Sequence, residues 1–237
     1  MGWTSLFLDV NGKNVFILGT GEVAHRRADR FLENGSKVIL SGNKISKDLS
    51  DKGAILEEDG SKETYKKLVE WADIVVVASG DKTNNDYVSL ISKDKLLNRA
   101  DFPEKGNLAV PTSFYIDDVQ ISIFTNGKSP LMARELRKKI QNIVSDEDIL
   151  QIKLQDFSRK ILKEKFDNQK VRKEYLYKIL NNSNISKLLK EGKLKEAKNY
   201  VEKIINNNDN DNSNDHSNDN NNDNDNSNDH NNDNNND

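Results

Sequence analysis

The sequence predicts an α/β fold built on a parallel sheet, followed by a small α+β segment and a C-terminal helical region. Three observations predict it. Val15-Phe16-Ile17-Leu18 runs into the turn Gly19-Thr20-Gly21-Glu22-Val23-Ala24, and the chain leaves that turn with helical spacing. Short apolar, β-branched runs then alternate with helical stretches up to the middle of the chain, the pattern of a doubly wound sheet. Beyond residue 146, apolar residues recur every three or four positions among many charges, which reads as helix throughout.

Taken in order, residues 6–10 read as a short apolar edge strand, and Asn11-Gly12 as a turn. The first central strand is 15–18, and the helix after it covers 22–33 and stops at Asn34-Gly35. Residues 37–40 give a second parallel strand, 54–56 a short third, and 62–70 a helix. Ile74-Val75-Val76-Val77-Ala78 is the most β-branched run, as expected of a strand buried on both faces. A helix over 85–95 follows, then a short strand that breaks into a loop within 96–103, where Pro103 holds Phe102 extended.

Residues 108–115 and 119–124 alternate as a pair of strands turning at Asp117-Asp118. After the polar loop 125–130, Ser129 caps a helix that Pro130 opens at its first position and that runs to 143. The helices of 146–205 break at 181–184 and 191–192, and each has one apolar face to pack on its neighbours or on a partner chain. From 206 to 237 there are only Asn, Asp, Ser and His, so that tail has nothing to bury and is expected to be disordered. The predicted divisions are therefore 1–113, 114–145, 146–205 and 206–237.

The tail conceals the charge of the rest. It holds nine Asp and no Lys or Arg, so a whole-chain charge of −3 leaves the body at +6. A basic body suits an anionic partner, and it equally suits a solvated lysine-rich surface. The chain has no cysteine, which excludes disulfides, thiolate nucleophiles and cysteine-ligated metals. No run approaches the ~20 apolar residues of a membrane span, and the first residues lack a signal-peptide core, so a cytoplasmic protein is expected. Zinc-finger spacing, RNP motifs and basic zippers do not occur, which argues against nucleic acid as the partner.

The glycine turn is where chemistry enters. Gly19 permits the sharp turn, Gly21 lets a pyrophosphate approach the backbone, and the following helix aims free N–H groups at it. Ala24 takes the third small position, where helix and strand pack closely. The second strand ends in Ser41-Gly42-Asn43-Lys44 without the acid that often holds a ribose, and Lys44 leaves a 2′-phosphate open. Ser79-Gly80-Asp81 lies at the carboxyl end of the fourth strand, where the crevice of an open α/β sheet is found. His25 is the one histidine before the tail and reads as a surface residue, so no His/Cys metal site is expected.

Together these pieces resemble the precorrin-2 dehydrogenase family, the N-terminal module of sirohaem synthase. The match runs from Leu6-Phe7-Leu8-Asp9 and Gly12 through Gly19-Thr20-Gly21-Glu22-Val23-Ala24-His25-Arg26-Arg27-Ala28 to Ala78-Ser79-Gly80-Asp81 with Asn85 and Val88. It continues in Asn98-Arg99-Ala100-Asp101 with Val110-Pro111, and in Gln120-Ile121-Ser122-Ile123 leading to Gly127-Lys128-Ser129-Pro130-Leu131-Met132-Ala133-Arg134. The last stretch is the most specific, since ordinary Rossmann-like domains have no such segment.

The resemblance implies a Rossmann-like domain and NAD-dependent oxidation of precorrin-2 to sirohydrochlorin. Some members also insert Fe2+, which would make the ion a second substrate. It implies cofactor contacts from Gly19, Thr20, Gly21, Glu22, Val23, Asn43, Lys44, Ala78 and Ser79. It implies a homodimer built through 114–145 and the C-terminal helices. Asp101 matches the family's essential aspartate, a general base beside the macrocycle; a plain loop aspartate satisfying local N–H groups is the bland reading.

Ser129 matches a serine of the family's substrate site that is phosphorylated in some members, and Asn98 falls in the same matching motifs. Lys128, Arg134, Arg99 and Lys105 are the basic residues nearest the crevice in sequence, available to a polycarboxylate. A non-catalytic NAD-binding regulatory module would need neither Asp101 nor the Gly-Lys-Ser-Pro loop.

Overall fold

A computed structural model describes residues 2–207. Five parallel strands form the sheet: β1 (Asn14–Leu18), β2 (Lys37–Ser41), β3 (Ile55–Glu57), β4 (Ile74–Val77) and β5 (Leu96–Arg99), in the order β3-β2-β1-β4-β5. The crossovers are α1 (Glu22–Glu33), α2 (Lys47–Asp51), α3 (Lys62–Trp71) and α4 (Lys82–Ile91). Strand order reverses between β1 and β4, whose ends Leu18 and Val77 are in register. In such a sheet the crevice opens at that point, beyond the carboxyl ends of the two strands.

Period-two alternation divides the core. Val15, Ile17, Val38, Leu40, Ile74 and Val76 pack with α1 on one face, and Phe16, Leu18, Val75, Val77 and Leu97 pack with α3 and α4 on the other. This double burial is why β1 and β4 are continuously apolar. The outer edge of β5 is covered by the chain just beyond it: Asn107 Oδ1 accepts from Leu97 N at 2.7 Å and Leu108 N donates to Leu97 O at 3.0 Å.

Beyond the sheet, Pro103–Lys105 form a 3-10 turn, β6 (Thr112–Ile116) pairs with β7 (Val119–Ile123), and α5 runs over Pro130–Ile143. The helices α6 (Asp146–Lys165), α7 (Gln169–Leu180), α8 (Ser183–Lys190) and α9 (Leu194–Asn207) follow. Their shared core includes Leu154, Leu162, Ile179, Ile185, Leu189, Val201 and Ile205. The chain divides into two compact units, one of Met1–Phe114 with Gln120–Lys139, the other of Tyr115–Val119 and the chain from Ile140 on. Among the described residues no helix is long and apolar enough to cross a membrane.

Several expectations need correction. Residues 6–10 form no strand. Both sides of β1 are already paired, so a segment folding back at the 10–13 turn finds no free edge there, and Leu6 and Phe7 are 84% and 71% exposed. The helix expected over 85–95 covers Lys82–Ile91: it starts three residues earlier, because the Asp81 carboxylate caps it by accepting from Thr83 N at 2.9 Å and Asn84 N at 3.1 Å, and it ends four residues earlier, at the C-cap Ser92. Two features had not been expected. Ser46 nucleates the one-turn α2, and Phe166 ends α6 where Asn168 caps α7. The tail expected to begin at 206 gives its first two residues to α9, and from 208 it lies outside the described residues.

Candidate active site

The first wall of the crevice is the turn after β1. Gly19 has φ +114°, and a Cβ there would stand 2.6 Å from the Ala78 carbonyl. Glycine is thus required twice over, by backbone conformation and by the approach of β4. Gly21 differs: a Cβ on it would meet nothing within 4 Å, so the space in front of its backbone is open. It precedes α1 with no side chain capping the helix, which leaves first-turn N–H groups available to an anion.

An open glycine before an uncapped helix fits a pyrophosphate. Thr20 packs over Gly42, where a Cβ would lie 2.7 Å from Thr20 Cγ2, so the exposed side chains of Asn43 and Lys44 are the first available beyond β2. Glu22 and Val23 are exposed at the start of α1, and Glu22 is paired with Arg26 at 2.8 Å. His25 is half-buried rather than on the surface as expected, and its Nε2 is buried without a hydrogen-bond partner.

The second wall is a polar network across the carboxyl ends of β4 and β5. Alternation places Arg99 on the same face as Leu97, toward α4, and it is the largest fully buried side chain. Its guanidinium makes a two-pronged bond to Asp101, Nε to Oδ1 and Nη2 to Oδ2, both at 2.7 Å. Nη1 reaches Asp86 Oδ1 at 3.1 Å and Ser89 Oγ at 2.9 Å. Lys105 lies 3.7 Å from the same Asp86 oxygen, so two cations balance two carboxylates.

Arg99 holds the Asp101 carboxyl below the usual carboxylate range, against a smaller opposing effect of burial. The same guanidinium lowers Asp86, and Asp101 in turn raises Arg99. Asp101 is therefore an ionised carboxylate, one-quarter exposed, beside the crevice. Asn85 ties it to the β4 loop: Nδ2 donates to Asp101 Oδ2 at 3.1 Å and to Ser79 O at 2.9 Å, while Oδ1 accepts from Ser79 Oγ at 2.6 Å.

Comparisons with known proteins give the family. Residues 6–112 match the family model described as "Putative NAD(P)-binding", and residues 117–143 match "Sirohaem biosynthesis protein central". A protein of Methanocaldococcus jannaschii named "Putative precorrin-2 dehydrogenase" is 31% identical over 195 residues, 78% of this chain and 93% of that one. The chain belongs to the precorrin-2 dehydrogenase family.

A precorrin-2 dehydrogenase of Methanosarcina barkeri is 28% identical over 76% of this chain and 84% of its own. The solved structure of SirC, precorrin-2 dehydrogenase, shares the fold with a TM-score of 0.67 at 22% identity, covering 85% of this chain and 100% of that one. The Rossmann-like sheet with C-terminal helices is thus the family's architecture.

Within that family frame, the structure brings together Gly19, Ala78, Ser79, Asn85, Asp101 and Arg99 around the ends of β1, β4 and β5. Ser79 turns its hydroxyl inward, so what it offers outward is backbone. Asn98 faces opposite to Arg99 and is buried; its Nδ2 donates to Leu108 O at 2.9 Å, while Oδ1 has no partner. Ser129 caps α5, accepting from Met132 N at 3.1 Å, with Lys128 and Arg134 exposed on either side. No hydrogen bond or ion pair among the described residues joins these three to Asp101.

Arg99 corrects an expectation. It is enclosed and paired with two aspartates, so it is not a surface cation offered to a polyacid. Sequence reasoning also passed over Asn85 as a functional residue; its signal was its place in the first turns of a helix that starts beside the crevice.

Proposed function

We propose that this chain oxidises precorrin-2 to sirohydrochlorin with NAD as hydride acceptor, and that Asp101 is the carboxylate serving the macrocycle. The observation that carries the reading is an ionised, part-exposed carboxylate fixed by three side-chain hydrogen bonds beside a glycine turn open to pyrophosphate. A dinucleotide would be held by the backbone of Gly19, Thr20 and Gly21, by the start of α1 at Glu22 and Val23, by Asn43 and Lys44 past β2, and by Ala78 and Ser79 past β4. Bound NAD supplies the electron sink for two electrons and one hydrogen of the tetrapyrrole.

The chain's own residues handle charge. As hydride leaves, positive charge builds on the conjugated ring, and a fixed carboxylate stabilises it. The oxidised ring then sheds a proton from nitrogen. That proton is acidic, so a carboxylate of low proton affinity suffices to take it, and its ionised state at neutral pH keeps it ready. Lys128, Arg134 and Ser129 are proposed to meet the peripheral carboxylates, with Asn98 shaping the floor. A sensor module would have no use for a clamped carboxylate at this place.

The active form is proposed to be a homodimer, with 114–145 as its dimerisation segment. Tyr115, Phe124, Leu131, Met132 and Ile143 in that stretch are exposed, as are Leu6, Phe7 and Leu8, apolar side chains available to a second copy. Sedimentation at micromolar concentration should give the mass of two chains.

The experiment for Asp101 is Asp101→Asn, which keeps shape and removes charge. NAD affinity should be unchanged while turnover of precorrin-2 falls by about 10²–10⁴-fold. Full turnover in that variant would remove Asp101 from the mechanism.

A further inference from the structure

Asn85 makes more bonds than its helix needs. α4 is already capped by Asp81. The buried Asn85 amide instead spans two loops: Oδ1 and one Nδ2 proton close on Ser79, and the other Nδ2 proton crosses to Asp101 Oδ2. An amide is suited to this, accepting at one atom while donating twice from the other. Every strong bond it makes is satisfied, in a region where an unmet polar atom is costly.

Arg99 holds both Asp101 oxygens from the side of β5. Asn85 approaches from α4 instead, and the same amide that donates to Asp101 is bonded to Ser79 in the loop after β4 that borders the crevice. Of the neighbouring charged groups, Asp86 on α4 shares Arg99 with it and Lys105 on the 3-10 turn pairs with Asp86, while the Asp81 carboxylate accepts from Thr83 N, Asn84 N and Asn84 Nδ2.

We propose that Asn85 is a positioning residue for the oxidation: it locks the Asp101 carboxylate to the 79–81 loop, so that the group serving the macrocycle and the loop lining the dinucleotide crevice keep one geometry. This rests on the role of Asp101 given above. Asn85 is buried with its amide bonded to Ser79 and Asp101, so it acts through Asp101, and its loss should cost kcat and spare NAD binding.

Three Asn85 variants of the full chain, with Asp101→Asn alone as the reference, test it, assayed with precorrin-2 and NAD, with NAD affinity measured by fluorescence titration. Asn85→Asp is nearly isosteric but replaces the donor with an oxygen facing Asp101. At neutral pH kcat should fall about tenfold or more with the NAD Kd within about twofold, because like charges at contact oppose each other. As pH is lowered, the introduced carboxyl gains a proton, regains one donor, and kcat relative to the parent should rise.

Asn85→Ala should also lower kcat about tenfold, and in an Asp101→Asn background it should add less than about twofold, the non-additivity of residues acting as one unit. Unchanged kcat in both Asn85 single variants overturns the proposal. So does a full Asn85→Ala loss on top of Asp101→Asn, or a parallel loss of NAD affinity. If Asp101→Asn alone keeps its turnover, the role of Asp101 falls and the Asn85 proposal falls with it, a result visible before any Asn85 variant is made.

Discussion

Arg99 decides what kind of carboxylate Asp101 is. Its two-pronged bond keeps Asp101 ionised below the ordinary aspartate range, so the ionised, competent form persists as pH falls and is lost only on passing that lowered value. Arg99→Lys keeps the charge but has no planar fork to span Asp101, Asp86 and Ser89 together. The acid limb of the kcat/KM profile, taken as the ratio of variant to parent so that the substrate's own carboxylates cancel, should move upward toward the usual ~3.9. An unmoved limb would mean Arg99 does not set this group.

At this scale the sequence was partly legible. Asp101 stood out through its motif. Arg99 looked like a basic residue near a crevice, yet its parity with Leu97 already pointed it into the α4 face, where a buried cation needs acids such as Asp86. Asn85 was hidden because its partners, Ser79 and Asp101, lie 6 and 16 positions away in sequence and meet only when β4 and β5 pair.

At the scale of elements, the turn from β1 into α1 positions everything else. Gly19→Ala would combine a left-handed backbone with a contact of 2.6 Å to Ala78 O, and neither party is a flexible side-chain end. It should lower Tm clearly as well as NAD affinity. At Gly21 a Cβ meets nothing within 4 Å, so Gly21→Val should weaken NAD binding with little change in Tm. The contrast separates a glycine needed by the fold from one needed by the ligand, and equal effects of the two on Tm would contradict it.

The elements with sustained periodicity, β1, α1, β4 and α5, were legible because propensity and burial agree in them. The failures share a cause. Residues 6–8 are apolar without a free edge to join, α2 is a single turn set by Ser46, and Phe166 keeps helical spacing while leaving the helix to stack on Tyr175 at 5.1 Å.

At the scale of the whole molecule, charge is the coarse descriptor that bears on function. A body at +6 facing a polyacid should bind it more weakly as salt rises. Going from about 0.1 M to about 1 M salt shortens the screening length from about 10 Å to about 3 Å, so KM for precorrin-2 should climb several-fold. A salt-independent KM would leave the basic surface without a role in recognition. The uneven charge was readable from composition once the aspartate-rich tail was set apart. How many chains make the working enzyme was not, because an exposed apolar side chain looks the same in sequence as one that packs inside.

The central claim is that this chain moves hydride from precorrin-2 to NAD with Asp101 in attendance. Its most direct test follows absorbance during anaerobic turnover of precorrin-2 with NAD, parent chain against Asp101→Asn at matched NAD occupancy. One NADH should appear for each precorrin-2 consumed by the parent, and almost none in the variant. NAD bound tightly with no NADH formed by the parent chain, or equal turnover by both, would contradict the account.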